Sequence, residues 1–337
     1  MKAIGYHTAG NIDRADALLD LELPLPQPLA HDLRVKVAAV SVNPVDTKIR
    51  KNRPATADAP QVLGWDAVGV VDAIGAEVTE FAVGDRVYYA GAINRSGSNA
   101  EFHLVDARIA GRAPASLSDA AAAALPLTTI TAWEMLFDRL GVAQGGGAGQ
   151  HLLIIGGAGG VGSILIQLAR QLTQLTVIAT ASREETQDWC RELGAQHVVD
   201  HNQPLLPQLQ ALGINAVEYT AALTQTHEHW TAIVEATAPQ GKISLIDDPA
   251  TPLDIMPLKL KAISLHWEMM FTRSLFQTAD MAQQGQLLSR VAELVDAGKI
   301  QSTLAQTFTP INAANLRSAH ALVESGKVRG KVVLAGF

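Results

Sequence analysis

The stretch Ile154-Ile155-Gly156-Gly157-Ala158-Gly159-Gly160-Val161-Gly162-Ser163 constrains the fold of this chain more than any other. It follows an apolar run over residues 152–155 and leads into Ile164, Leu165, Leu168, Ala169 and Leu172, which recur at helical spacing from Val161. That pattern predicts a buried strand, a glycine turn and a helix with one apolar stripe. Gly157, Gly159 and Gly162 then fit the dinucleotide fingerprint. Gly157 would allow the tight turn, Gly159 would let the backbone approach a pyrophosphate, and Gly162 would let the helix pack close to the strand. The unpaired N–H groups of the first helical turn, at Gly160, Val161 and Gly162, would face the phosphates, where the helix dipole favours negative charge. The plainer alternative is a bare strand-to-helix turn.

The residues after this motif support the larger reading. Strand candidates at 176–180, 197–199, 216–219, 242–246 and 263–267 alternate with helical segments such as 184–193 and 226–238, which implies an α/β class with a mostly parallel, doubly wound sheet. The ligand of such a sheet lies at the carboxyl ends of its strands. Ile246, at the end of the fifth strand, is therefore a candidate cofactor neighbour. Residues 1 to about 125 differ in character. Short strand candidates at 2–6, 33–42, 68–74, 86–90 and 100–105, separated by turn signals, favour a small barrel or folded sheet. Ser118 can cap an alanine-rich helix, Pro126 interrupts it, residues 128–140 read as a second helix, and the glycine run 145–149 links it to the motif strand. Helices over 280–297 and 312–324 and strands near 307–309 and 331–334 do not extend the alternation. They are free to fold back on the first domain.

Which nucleotide the motif would take turns on the end of the second strand. An acid there binds the ribose 2′-OH of NAD, whereas a basic residue accommodates the 2′-phosphate of NADP. The strand ends Ala179-Thr180-Ala181-Ser182-Arg183, with no acid before Glu184. Ser182 and Arg183 point to NADP(H); a solvated Arg183 at the start of the next helix is the alternative. A net charge of −7 provides no footprint for nucleic acid or an anionic membrane. No apolar run approaches the ~20 residues that cross a bilayer, and the N-terminus has no signal-peptide core. The single cysteine, Cys190, allows no internal disulfide. A cytoplasmic protein with a small-molecule substrate is the expectation.

The ordered set Asn43-Pro44-Val45-Asp46, Gly64-Trp65-Asp66-Ala67-Val68-Gly69-Val70-Val71, Gly84-Asp85-Arg86-Val87, the glycine stretch, Ala179 to Arg183 and Gly326-Lys327-Val328-Arg329-Gly330-Lys331 resembles the medium-chain dehydrogenase/reductase superfamily. Within it the chain is most similar to the zinc-independent quinone oxidoreductases and the zinc-type alcohol dehydrogenase-like proteins grouped with them. The resemblance implies a GroES-like β-barrel over 1–125 completed by 272–337, a Rossmann NADP-binding domain over 126–271, and a homodimer formed through the last Rossmann strand. It also implies that Thr128 faces the nicotinamide ribose or amide, that His201 lies near the adenosine end, and that Lys331 reaches the cofactor; a capping threonine, a surface histidine and an exposed lysine are the bland readings.

Where zinc alcohol dehydrogenases carry a cysteine and a histidine, this chain resembles them in position but has Asn43 and Trp65. The lobe that would hold four structural cysteines reads Asn94-Arg95-Ser96-Gly97-Ser98-Asn99. No zinc is expected. Without a Lewis acid, hydrogen-bond donors must stabilise charge on the acceptor oxygen. Asn43, Trp65 and the hydroxyls of Tyr88 and Tyr89 are the candidates, with Asp46 helping through water, by orienting Asn43, or merely capping a short helix. That chemistry favours quinones or small activated carbonyls reduced by NADPH. Enone or 2-alkenal reduction is the enzymatic alternative, and an NADPH-binding sensor or structural protein the non-enzymatic one.

Overall fold

The computed structural model describes residues 1–337. Its chain divides into two units, residues 1–130 with 271–337, and residues 131–270.

The first unit opens with eight short strands: β1 (Lys2–Tyr6), β2 (Leu19–Glu22), β3 (Asp32–Val42), β4 (Gln61–Val62), β5 (Ala67–Ile74), β6 (Arg86–Tyr89), β7 (Phe102–Asp106) and β8 (Gly111–Arg112). The eleven-residue β3 is central. Its Leu33, Val35 and Val37 are buried while Lys36 is exposed, the alternation expected of a strand with one wet face. It pairs antiparallel with β5 and β7, and β5 with β6. Sequence reading missed β2, β4 and β8, two of which have only two residues. Ser118 caps the next helix by accepting the Ala121 N–H at 3.3 Å, and Pro126 opens the following one, Pro126–Trp133. A π-helical turn, Glu134–Arg139, continues it. Together residues 119–139 make one helical stretch long and apolar enough to cross a membrane, although no unbroken apolar run marks it in the sequence; 78% of its most apolar window is buried inside the protein, as in a core helix.

The second unit is a six-stranded sheet: β9 (His151–Ile155), β10 (Thr176–Thr180), β11 (His197–Val199), β12 (Val217–Ala222), β13 (Thr237–Leu245) and β14 (Ser264–Trp267). All pairs are parallel, in the order β11-β10-β9-β12-β13-β14. The strand order reverses between β9 and β12, which opens a crevice at their carboxyl ends. Leu153, Ile155, Ile178, Val217, Ile233, Ile243 and Leu245 form the core beneath it. β12 runs on to Ala222 beyond its expected end, because small alanines carry little periodic signal yet are fully buried there.

Two last strands, β15 (Leu304–Phe308) and β16 (Lys331–Ala335), return to the first unit. β16 lies antiparallel to β3, with Val332 opposite Val42, and β15 lies parallel to β16.

Candidate functional site

In the second unit β9 ends at the glycine turn. Gly156, with φ of 86°, makes the tight turn. This corrects the assignment of that role to Gly157. A Cβ on Gly157 would stand 2.7 Å from the Ala179 Cβ and 3.1 Å from the Cys190 Sγ, so Gly157 is glycine because β10 and a helix press against it. Gly162 has the close-packing role expected of it: its Cβ would meet the carbonyl oxygens of Gly156 and Gly157 at 2.5 Å. Gly159 is different. It is the N-cap of the helix Gly160–Leu172, and the nearest atom to its Cβ would be the Gly156 oxygen at 3.6 Å. Nothing in the chain itself demands a glycine there. The N–H groups of Gly160, Val161 and Gly162 lie in the first turn, outside the intrahelical ladder. A glycine with no neighbour closer than 3.6 Å to its Cβ, beside three such donors, fits a pyrophosphate.

Ser182, half-buried, and Arg183, exposed, follow β10, and Arg183 is the N-cap residue of the helix Glu184–Glu192. Thr180, the last residue of β10, accepts the Gly156 N–H on its Oγ1 at 3.0 Å, and His201 Nδ1 lies 3.2 Å from the same oxygen. His201 is thus tied to the glycine turn rather than lying free on the surface. Its ring packs 5.6 Å from that of His229, at 59°. Ile246 stands just past β13 with its N–H on the Ala222 oxygen at 3.4 Å. Cys190 is fully buried, and burial pushes its thiol up to about 12, so it is a packing residue rather than a nucleophile.

The first unit gathers the other candidates. The carboxyl end of β3 and the amino ends of β5 and β16 meet because the strands are antiparallel neighbours, which places Asn43, Asp66 and Lys331 together. The Asn43 amide donates to Asp66 Oδ2 at 2.9 Å and its Oδ1 accepts from Lys331 Nζ. Lys331 also lies 3.1 Å from Asp66 Oδ2 and donates to the Val42 oxygen at 3.1 Å, while the Leu127 N–H donates to Asp66 Oδ1 at 2.8 Å. The three ammonium protons therefore have three protein acceptors. Lys331 is buried, which corrects the reading of it as an exposed lysine. Burial raises the Asp66 carboxyl, and the Lys331 ammonium and Asn43 amide pull it back.

Each of the four proposed donors is engaged inside the protein. Asn43 serves Asp66, the Trp65 indole donates to the Ala92 oxygen at 3.2 Å, Tyr88 donates to the Leu288 oxygen at 2.6 Å, and the Tyr89 hydroxyl bonds His103 Nδ1 at 3.2 Å. Trp65 is 1% exposed and meets Phe271 edge-on at 6.3 Å, as a core ring does. Met270 is buried beside Phe271 in sequence and Met269 is exposed. Thr128 is buried with its hydroxyl on the Leu125 oxygen at 3.1 Å, a local bond to the residue just before its own helix. Asp46 does cap: its Oδ2 accepts the Asn43 N–H at 2.7 Å at the start of the helix Pro44–Asn52. Its Oδ1, however, is buried with no hydrogen-bond partner, and burial pushes the carboxyl up to about 7.

Sequence reasoning had no signal for a further group in the second unit. Glu134 and Glu268 are buried side by side on Arg139, whose Nε donates to Glu268 at 2.9 Å. Burial, and then the neighbouring Glu134, push Glu268 up to about 9.

Family models match over both units: the alcohol dehydrogenase GroES-like domain over residues 29–119 and the zinc-binding dehydrogenase domain over 193–334. A zinc-type alcohol dehydrogenase-like protein of Staphylococcus aureus strain Mu50 is 40% identical over 336 residues, covering 99% of each chain. The chain belongs to the medium-chain dehydrogenase/reductase superfamily. Among solved structures, a Rhizobium etli CFN 42 protein, named a zinc-dependent alcohol dehydrogenase by inference, is 55% identical with a TM-score of 0.96, covering 100% of this chain and 98% of that one. A mycobacterial relative solved with NADPH is 27% identical with a TM-score of 0.84, covering 99% of each. The fold and the oxidoreductase class follow from this membership. The residues of this chain do not fit the family's zinc: Asn43 and Trp65 stand where ligands would, both with their donors engaged, and no group of three histidine, cysteine, aspartate or glutamate side chains is arranged to hold a metal.

Proposed function

We propose that this chain is a cytoplasmic NADPH-dependent reductase that works without zinc on quinones or small activated carbonyl compounds. The observation that carries the reading is the glycine turn of the second unit, open at Gly159 and flanked by Ser182 and Arg183 with no acid at the end of β10. Bound there, a nicotinamide dinucleotide supplies the hydride. The chain's own residues hold its pyrophosphate at the N–H groups of Gly160, Val161 and Gly162, and its 2′-phosphate at Ser182 and Arg183. In the first unit Asp46 replaces the four engaged donors as the group that handles a proton. With its carboxyl near 7 it is partly protonated at neutral pH, and its unpartnered Oδ1 is the atom that carries the proton. Asn43 positions it through the bond from its backbone N–H, and Lys331 with Asp66 fixes Asn43 in turn. The homodimer of the proposal forms along the outer edge of β14, where Trp267 and Met269 are exposed.

A screen of NADPH oxidation over quinones, enones and aldehydes, repeated with NADH, tests the activity. Quinone turnover with NADPH preferred is the expected result, whereas saturated products from enones would assign the double-bond reduction instead. Tight NADPH binding with no turnover of any acceptor would leave a binding protein. Metal analysis of protein purified without added metal is expected to find no stoichiometric zinc, and chelation to leave turnover unchanged; zinc lost together with activity would overturn the metal-free reading.

A further inference from the structure

The end of β10 carries more than Ser182 and Arg183. His201 reaches Thr180, its ring meets His229 across the carboxyl end of the sheet, and both imidazoles are half-buried. Thr180 accepts the Gly156 N–H, so if its own proton goes to His201 Nδ1 the imidazole keeps its hydrogen on Nε2. A chain of contacts therefore runs from the glycine turn through Thr180 and His201 to His229, which stands in the first turn of the helix Thr226–Ala236. We infer that His229, with His201, forms a protonatable pair that reads the NADP 2′-phosphate and makes the preference for NADPH over NADH depend on pH.

Several charged or titratable groups face His229. His227 and Glu228 do so from its own helix, His201 from the loop after β11, and Asp247 from the loop after β13. Asp247 is itself held by the Thr226 N–H at 2.9 Å and the Thr226 hydroxyl. Burial first, and then the His201 charge, disfavour the imidazolium at His229, so His229 resists charging in the free protein. A phosphate dianion at the end of β10, where Thr180 holds His201 and His201 packs on His229, reverses that balance. It binds better to charged imidazoles, and NADPH binding therefore takes up protons that NADH binding does not.

The inference rests on the NADP(H) reading, and its test separates the two. Dissociation constants for NADPH and NADH are measured by fluorescence from pH 6.5 to 8.5, in the wild type and in His229→Gln. Uptake of one proton changes a dissociation constant by up to about tenfold per pH unit. The NADPH constant is expected to weaken at least about tenfold across the range while the NADH constant stays within about twofold, and His229→Gln to flatten the NADPH slope. The NADH constant of the variant reports whether its site survives; if it is lost, His201→Gln carries the comparison. A constant NADPH preference at every pH, or an unchanged slope in the variants, overturns the inference and leaves the NADP(H) reading standing. NADH binding as tight as NADPH throughout sinks that reading instead.

Discussion

Two alanine substitutions in one turn separate a glycine that the fold needs from one that a ligand needs. In Gly162→Ala the new Cβ would sit 2.5 Å from the Gly156 and Gly157 oxygens, about 0.9 Å inside the 3.4 Å at which ordinary contact begins. Both atoms are backbone, so relief requires moving the helix off the turn. Overpacking of this kind costs about 1–3 kcal/mol, which lowers Tm by roughly 1–4 °C for a 337-residue chain that unfolds as one unit. In Gly159→Ala the nearest atom is 3.6 Å away and φ is −71°, so no strain arises, and the poorer N-cap costs about 1 kcal/mol or less. Yet that Cβ points where the pyrophosphate would approach, and an equal overpacking there weakens NADPH about tenfold to a hundredfold. Calorimetry and fluorescence titration on both variants make the comparison. Undiminished NADPH affinity in Gly159→Ala would show that the dinucleotide does not lie on this turn. An unchanged Tm in Gly162→Ala would refute the steric argument.

Lys331→Met leaves Asp66 buried with no cation and is expected to cost about 3–5 kcal/mol in urea unfolding. Adding Asp66→Asn should recover much of that loss, and strictly additive effects would show that the two do not act as a pair. Glu268 gives a pH signature. Its folded carboxyl is raised from 4.5 to about 9, so between those values the unfolded chain sheds a proton that the folded chain keeps, and stability falls as pH rises. Glu268→Gln removes this slope. The variant should therefore gain on the wild type from pH 5 to pH 8 by up to about 1.4 kcal/mol per unit, and a pH-independent difference between the two would show that Glu268 does not titrate in this window.

The sequence by itself determined the class of the second unit, its mostly parallel sheet and the strand–glycine turn–helix at its start. Those follow from local facts: apolar periodicity, a glycine cluster between a strand and a helix, and the residues that end β10. Even there the exact glycine of the tight turn was one position off, since a φ of 86° at Gly156 is a property of the backbone path and leaves no pattern in the neighbouring residues. What the polar residues of the first unit do was decided only by tertiary structure. Asn43, Asp66 and Lys331 are linked across 288 residues of chain by strand pairing, and a side chain read as a donor toward substrate spends its hydrogen bonds on partners that sequence distance conceals. The unpartnered oxygen of Asp46, the Glu134–Glu268 pair and the contact of His201 with His229 belong to the same category. Burial and long-range pairing set the charge and the free valence of these groups, and neither is written in the residues that flank them.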